Sequence, residues 1–489
     1  MVQLLVIVAF VALHVRDAVR AGEFGSPGTW RLDVRPWACA ALVLGLLAGL
    51  WLAGQLVCMS AGRRVDRSGS VVPLGIAERW IALGRLAGAV VFLVAVALLD
   101  WPWVVRGVVG DPVAFDEMVI VAPLMLMVIG GWWSFHPLDR RLREAMLERQ
   151  IDLGLPVYAP PTRGQYVWSA VRHQMLMVLL PVALITAWEE GVERWLPGFL
   201  GDRRDQQWLA GVAQVAGAVA IFAVTPGLLR LIWDTAPIEG GEFRSVLESL
   251  CRRYGVRLRT PLVWRTHGAM VNGAVLGLVW PFRYMLFTDA LLDRLAPRQL
   301  EAVAAHEIAH VLHRHILWIA LSVIGSVLAV EALVEMVGAR VGLSSQGAWA
   351  TGLMGIPLVV GGVVFGWVSR RFEWQADAFA VRHLSETQPG EPEASPGAGG
   401  VVRVTPASVE WMASALRLVA RINGIDAGKK GFRHGSIDDR VRRLRGIVGR
   451  PTPRLPIDAQ ARAIKWASAL VFVLSLAALG VQAWSPPGR

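Results

Sequence analysis

The segment HEIAH at residues 306–310 contains two histidines four residues apart with a glutamate between them. On a helix, residues four apart lie one above the other on the same face, so both imidazoles can bind one zinc ion. The intervening Glu307 can reach a metal-bound water and take its proton as general base. The pattern predicts His306 and His310 as metal ligands. The alternative is a polar helix end whose histidines reach to a membrane interface, and His315, nearest to the following apolar run, fits that alternative.

A third ligand must come from elsewhere in the chain. His313 lies seven residues from His306, about 10 Å along a helix axis, which is too far for zinc–nitrogen bonds of about 2 Å. HEIAH ends where one apolar run begins, and its helix is expected to continue unbroken into that run. Glu373, in SRRFEWQADAFA, follows the end of the next apolar run. An antiparallel helical hairpin would therefore return Glu373 to the histidines. Asp377 shares its helix face and could accept a hydrogen bond from the free ring N–H of a ligand. An interfacial charge cluster with the two preceding arginines is the alternative interpretation of Glu373.

Two histidines and one glutamate are a ligand set that suits a catalytic zinc ion. Three protein ligands leave the fourth position of zinc open for water, which is the catalytic rather than the structural arrangement. The metal lowers the pKa of that water and polarises a carbonyl, while Glu307 takes the proton and delivers it to a leaving amine. We expect peptide-bond hydrolysis, with one Zn²⁺ per chain.

The composition predicts that these residues are positioned by membrane helices. Of 489 residues, 54% are hydrophobic and 18% are charged, and the mean hydropathy is +0.47. A spanning helix needs about 20 apolar residues. The opening 15 residues have no basic n-region or cleavage site, so they are a short first span or an interfacial helix rather than a signal peptide. Eight longer runs are expected to span, near residues 37–59, 80–105, 118–135, 175–192, 208–229, 316–337, 349–368 and 463–484.

The charge distribution suggests an orientation. The net charge of +11 comes mainly from arginines between the apolar runs, where lipid head groups and the positive-inside bias account for it. No nucleic-acid recognition motif accompanies the charge, so the expected partners are a lipid bilayer and a peptide or protein substrate. Arginine-rich loops alternate with poor ones, which places the histidines on the cytoplasmic side. The four arginines between residues 16 and 35 oppose this unless the first segment does not span. Only three lysines occur, which suggests a high-GC bacterium and its inner membrane.

We expect five regions. The first is an N-terminal multi-span region, and the second contains strand-like pieces, turns at residues 272–273 and 280–281, and the HEIAH helix. A transmembrane hairpin, a helical region carrying Glu373 and a C-terminal span follow. Within the helical region, the Pro/Gly/Ser/Glu-rich residues 385–400 are predicted to form a flexible loop. The regions are 1–233, 234–315, 316–369, 370–462 and 463–489.

One further polar group interrupts an apolar run. Trp188, Glu189 and Glu190 lie between apolar residues, and an intramembrane glutamate is a functional hypothesis by default. An interfacial loop with tryptophan at head-group level is the alternative. The three cysteines form no metal or disulfide pattern and are expected to be thiols without function.

With HEIAH, two apolar runs and then SRRFEWQADAFA, residues 262–444 resemble the integral-membrane zinc endopeptidases of the type I CAAX prenyl protease family and their bacterial heat-shock relatives. The resemblance implies a small α+β core of the gluzincin type, with His306, His310 and Glu373 as zinc ligands and Glu307 as base. VNGAVLG at residues 271–277 resembles the Asn-Ala segment of the family, and His434-Gly435-Ser436 with Arg440 resembles its His-Pro-Ser box and arginine.

By this resemblance, Asn272 and His434 are catalytic candidates that hold the substrate backbone or the oxyanion. Gly273 stands where the family has alanine and Gly435 where it has proline, so turn-forming and surface roles stay open for Asn272 and His434. A strand near residues 270–276 would provide an edge onto which an extended peptide could add.

The sequence thus predicts a multi-pass α-helical membrane protein of eight to nine spans with a small α+β zinc metallopeptidase core. Its expected function is hydrolysis of membrane-associated or misfolded proteins and peptides at the cytoplasmic face. The alternatives are a sensor or transducer built on a protease domain, for which no separate extracytoplasmic domain is visible, and a transporter or scaffold with a vestigial core. The oligomeric state and the natural substrate are not indicated.

Overall fold

A computed structural model describes residues 2–20, 32, 34–152, 157–200, 207–268, 270–341, 355–387, 402–453 and 455–484. The chain divides into two compact units, Met1–Trp233 and Asp234–Arg489.

The first unit is helical. Prolines lie in the first turn of the helices that begin at Pro36, Val72 and Trp101, where a missing N–H costs no hydrogen bond. Thr162 caps another helix in a reciprocal box with Gln165. The helices are Val2–Arg20, Pro36–Ser68, Val72–Leu98, Trp101–Val109, Phe115–Asp152, Arg163–Ala170, Leu176–Leu200 and Gln207–Ile232, with a π-helical turn at Val171–Met175.

Within the described residues, seven helices are long and apolar enough to cross a membrane. Large apolar side chains such as Trp37, Leu83 and Val219 are more than half exposed on them, as lipid-facing residues are. The expected run 349–368 is not among the seven. Residues 349–354 lie outside the described chain, and the remainder opens a helix whose second half is polar. The seven are Pro36–Ser68, Val72–Leu98, Phe115–Ala145, Arg163–Phe199, Trp208–Ile232, His315–Gly338 and Pro456–Gly480.

Glu190 takes part in a polar network of the first unit. Its carboxylate accepts a hydrogen bond of 3.0 Å from the backbone N–H of Ala114, directly before the helix Phe115–Asp152. Carboxylate oxygens of Glu190, Asp116 and Glu117 lie within 4.8 Å of one another. Arg106 donates to Asp116 at 2.6 Å and to Glu117 at 2.9 Å, and also binds a carboxylate of the first helix. Glu190 therefore anchors a helix end within an ionic network.

The second unit contains a four-stranded sheet. The strands are β1 (Thr235–Pro237), β2 (Thr260–Trp264), β3 (Gly273–Leu276) and β4 (Tyr284–Thr288). Their order in the sheet is β1-β2-β4-β3, in which β2 and β4 are parallel and the other two pairs are antiparallel. All five residues of β4 are buried, whereas β3 lies at the edge, as expected for the strand near residues 270–276.

The predicted turn at Asn272-Gly273 is wrong. The backbone N–H of Asn272 donates to Thr288 Oγ1 and its carbonyl accepts from Thr288 N–H, each at 3.0 Å, so Asn272 already pairs with β4. Gly273 opens β3 rather than a turn. The predicted turn at Trp280-Pro281 falls in the β3–β4 connection, where that peptide bond is cis.

Five helices of the second unit surround the candidate site. We name four of them the motif helix (Pro297–Leu312), the glutamate helix (Gly355–Glu386), the arginine helix (Ile437–Arg445) and the C-terminal helix (Pro456–Trp484). The fifth is the spanning helix His315–Val341, which packs against the glutamate and C-terminal helices. Within the described residues, the remaining helices of this unit are Glu242–Tyr254, Asp289–Arg294 and Pro406–Ile422.

Two boundary predictions need correction. The motif helix does not continue into the span, because Arg314 adopts a left-handed φ of 54° and separates two helices. The flexible loop predicted from residue 385 starts later, because the glutamate helix extends to Glu386 and Ser385 is buried, with its Oγ 2.8 Å from Ser408 Oγ. Residues 388–400 of that loop lie outside the described chain.

The core of the second unit joins the sheet to the motif and glutamate helices. Met285 and Phe287 of β4, Ile308 of the motif helix and Phe379 of the glutamate helix are at most 2% exposed and belong to one apolar cluster. A buried polar contact adds to it, because His383 Nε2 lies 3.1 Å from Glu301 Oε1. The motif and glutamate helices are thus fixed against each other by apolar packing and by a hydrogen bond.

Candidate metal centre

The motif helix presents its histidines to the glutamate helix because small residues let the two backbones approach. Ala302, Ala305 and Ala309 of the motif helix are fully buried, as are Ala376 and Ala380 of the glutamate helix. Alanine is also the best helix former, so the same residues favour the helix and its close packing.

The structure brings His306, His310 and Glu373 together. The two Nε2 atoms lie 3.3 Å apart, and each lies 3.7 Å from an oxygen of Glu373. Tetrahedral zinc with bonds of about 2.0–2.1 Å would separate its ligand atoms by about 3.3–3.4 Å. Two imidazole nitrogens and one carboxylate are also the donor types that catalytic zinc takes. The residues present therefore fit a zinc ion.

Asp377 lies behind His306. Its Oδ1 is 3.0 Å from His306 Nδ1, although the contact falls short of a linear hydrogen bond. Arg440 of the arginine helix donates to both Asp377 oxygens, from Nε at 2.7 Å and from Nη2 at 2.6 Å. Its Nη1 lies 3.4 Å from Glu373 Oε2. One buried guanidinium thus faces both carboxylates of the site.

These contacts keep the carboxylates ionised. Burial alone would raise the pKa of Glu373, but His434 and Arg440 outweigh it and hold the pKa well below its ordinary value. Burial opposes ionisation of Asp377 in the same way, and Arg440 lowers its pKa. Burial lowers the pKa of His310 to about 4, so its imidazole is neutral, as a metal ligand must be.

Glu307 lies between the histidines and the edge strand. Desolvation raises the pKa of its carboxyl to about 7, and the backbone amide of Val275 in β3 partly offsets this increase. A carboxyl group that titrates near neutrality is suited to taking and returning a proton.

His434 lies beside the cluster. Its Nδ1 is 3.0 Å from Glu373 Oε2, and about half of its side chain is exposed. It lies in a loop that two hydrogen bonds between Gly431 and Gly435 close. Gly435 has a φ of 73°, which proline cannot adopt, so this loop differs locally from a His-Pro-Ser box.

Asn272 directly precedes β3. It is exposed, and within the described chain its side chain makes no hydrogen bond, although its backbone pairs with β4. Asn423 holds Val271, just before β3, in place. Its side-chain amide accepts a hydrogen bond from Val271 N–H at 2.9 Å and donates one to Val271 C=O at 2.8 Å. Sequence reasoning missed Asn423, because its partner lies 152 residues away.

The interfacial interpretation of His315 is wrong. His315 is fully buried, its Nδ1 lies 2.9 Å from His310 Nδ1, and its ring stacks on Phe372 at a centroid distance of 4.5 Å. Its position at the start of an apolar run suggested the interface, whereas packing against the glutamate helix removes it from any solvent.

Part of the second unit matches a known protein family. Residues 237–428 match the family model described as Peptidase family M48, which includes the HEIAH segment and Glu373. The predicted resemblance to membrane metallopeptidases is therefore confirmed over that segment, which is less than half of the chain.

Two curated relatives and one crystal structure are also similar. The relatives are proteins named protoheme IX farnesyltransferase from Methylorubrum extorquens and Methylorubrum populi, each 27% identical over 180 residues. Each match covers 32% of this chain, and the chain spans about half (51%) of the length of the curated relatives. The crystal structure of S. mikatae Ste24p is 14% identical, with a TM-score of 0.43, over 84% of this chain and all of that one.

Proposed function

We propose that this multi-pass helical membrane protein is a zinc-dependent endopeptidase, with His306, His310 and Glu373 as metal ligands and Glu307 as general base. The observation that carries the proposal is the convergence of two imidazole nitrogens and a carboxylate within 4.8 Å, from two helices that the spanning helix His315–Val341 separates in sequence. The match of residues 237–428 to a peptidase family supports it.

The geometry assigns a task to each neighbouring side chain. Zinc, when bound, polarises a scissile carbonyl and acidifies water. Glu307 accepts the proton of the attacking water and donates it to the leaving amine, and its pKa of about 7 suits both steps. Asp377 orients His306, and Arg440 compensates the charge of Asp377 and Glu373. His434, half exposed beside Glu373, is placed to contact the substrate or the developing oxyanion.

The substrate we propose is an extended peptide that adds to β3. Asn272 C=O accepts a hydrogen bond from the backbone N–H of Thr288, so in this antiparallel pair the backbone groups of the alternate residues Gly273 and Val275 point away from β4. An added strand would pair with that edge and pass Glu307, and the free side chain of Asn272 could hold its backbone. We propose membrane-associated or misfolded proteins as substrates, cleaved at the cytoplasmic face of a bacterial inner membrane.

The experiment is a metal analysis of the detergent-purified protein. Wild type should contain about one zinc per chain, and Glu373→Ala should lose it because only two ligands remain. Glu386→Ala is the matched control, because Glu386 lies on the same helix but pairs with Arg253 on the surface. Folded wild type without zinc would refute the proposal.

A second variant separates a peptidase from a scaffold or transporter with a vestigial core. Glu307→Gln keeps the shape of the side chain and removes its base. A peptidase would keep zinc and lose at least about 10²-fold in peptide hydrolysis. A protein whose cellular function is unchanged by Glu307→Gln does not use the site for hydrolysis.

A further inference from the structure

The Nδ1 atom of His310 begins a chain of hydrogen bonds that leaves the candidate metal centre. From His310 the chain reaches His315 at 2.9 Å, and His315 Nε2 lies 3.0 Å from Gln375 Oε1. The amide Nε2 of Gln375 then donates to Asp458 Oδ1 at 2.8 Å. Asp458 belongs to the first turn of the C-terminal helix. This chain of hydrogen bonds thus connects four helices: the motif helix, the spanning helix, the glutamate helix and the C-terminal helix.

Metal binding fixes the direction of every bond in this chain. If His310 binds zinc through Nε2, its proton is on Nδ1, which donates to His315 Nδ1. The proton of His315 is then on Nε2 and is donated to Gln375 Oε1. Because a carboxylate only accepts, the amide nitrogen of Gln375 must face Asp458. The reverse direction would put a proton on the metal-facing nitrogen of His310 and prevent binding.

The surroundings hold this chain in place. His315 is fully buried, Gln375 is 4% exposed, and the ring of Phe372 stacks on His315 with an interplanar angle of 8°. Buried polar groups are expensive unless they are paired, and here His315 and Gln375 are each paired at both ends of their side chains.

We propose that His315 is a positioning residue for the zinc ligand His310, and that Asp458 makes the C-terminal helix part of the metal centre. This rests on the proposed function, because the direction of the chain depends on zinc binding by His310. A ring N–H held by an acceptor orients the imidazole and raises its basicity toward the metal. The chain ends on a carboxylate that lies beyond the matched peptidase segment.

The test is zinc affinity of the full-length protein, measured by chelator competition in detergent at one pH. His315→Phe keeps the stacked ring and removes the acceptor, so the dissociation constant for zinc should rise roughly 10–100-fold. His313→Phe is the matched control. His313 stacks on His315 at a centroid distance of 5.6 Å but takes no part in the chain, so its variant should bind zinc like wild type. Equal affinities for both variants would overturn the assignment of His315.

Exchanging the amide and carboxylate groups of Gln375 and Asp458 tests the role of their contact. Gln375→Glu places a carboxylate against Asp458 and should weaken zinc binding, whereas Gln375→Glu with Asp458→Asn restores a donor–acceptor pair and should recover the affinity. No recovery would overturn the role of Asp458. Melting temperatures of the metal-free variants show whether an affinity is lost only because the protein unfolds. Wild type without zinc would refute the proposed function and this inference together, whereas zinc-binding wild type with unaffected His315→Phe refutes this inference alone.

Discussion

Arg440→Met should be the most destabilising single substitution near the site in the metal-free protein. Arg440 is 6% exposed and donates two hydrogen bonds to Asp377, which is 1% exposed, while its third nitrogen faces Glu373. Methionine fills a similar length without charge. Both carboxylates would then stay buried with only histidines beside them.

The size of the effect follows from that burial. Removing one partner of a buried ion pair costs about 3–5 kcal/mol, because the remaining charge is left uncompensated. For a unit of this size, such a loss lowers the melting temperature by roughly 6–20 °C. Bound zinc would supply positive charge beside Glu373, so the loss should be smaller in zinc-loaded protein.

The assay is thermal unfolding of metal-free and zinc-loaded protein in detergent. Arg442→Met is the control on the same helix, because Arg442 is 75% exposed and makes only a surface pair with Asp439. Surface substitutions of this kind change stability by at most about 0.5 kcal/mol. If metal-free Arg440→Met melted together with Arg442→Met, the reasoning about the buried guanidinium would be refuted.

Three further predictions concern other parts of the chain. Burial alone would raise the pKa of Glu301, but hydrogen bonds from His383 and Arg298 outweigh it and lower the pKa. The stabilisation that the ionised Glu301 carboxylate provides is therefore present above a pH of about 4.3 and is lost as the pH falls through the pKa of the folded protein. The difference in melting temperature between wild type and Glu301→Gln should therefore shrink on acidification, and a constant difference would contradict this. Arg106→Leu should lower the free energy of unfolding by about 3–5 kcal/mol, because it leaves the buried carboxylates of Asp116 and Glu117 without their guanidinium. Arg140→Leu removes an exposed guanidinium and should have little effect on thermal unfolding, which is the measurement for both variants. Asn272→Ala should slow peptide turnover and leave zinc bound, and loss of zinc as well would show a folding role.

The parts of the site that follow local rules could be predicted from the sequence. The spacing of His306 and His310 needs only the helical period, and Glu373 needs only two apolar runs of similar length. The strand near residues 270–276 was likewise readable from a short apolar segment. These predictions depend on the period of the α-helix and on the thickness of a bilayer, which hardly vary between proteins.

The rest depended on contacts between distant residues. Arg440 meets Asp377 across 63 residues, and Gln375 meets Asp458 across 83, so no local pattern reports either pair. The helix break at Arg314 was missed because the residues on both sides are adequate helix formers and the break is set by a single backbone angle. His315 was assigned to the interface because hydropathy describes the neighbours in sequence, whereas its burial is due to a stacked ring on another helix.

The matched peptidase segment ends before the site does. Residues 237–428 supply the proposed ligands and base, but His434, Arg440 and Asp458 lie beyond residue 428 and contact Glu373, Asp377 and Gln375. The guanidinium that compensates the buried carboxylates of Glu373 and Asp377 therefore lies outside the matched segment. The carboxylate of Asp458, which ends the hydrogen-bond chain from His310, also lies outside it. Because leaving such groups unpaired costs several kcal/mol, we expect the segment alone to hold the proposed ligands less firmly than the whole second unit does. The chemistry we propose belongs to the unit Asp234–Arg489, in which the C-terminal helix is part of the site as well as a candidate span.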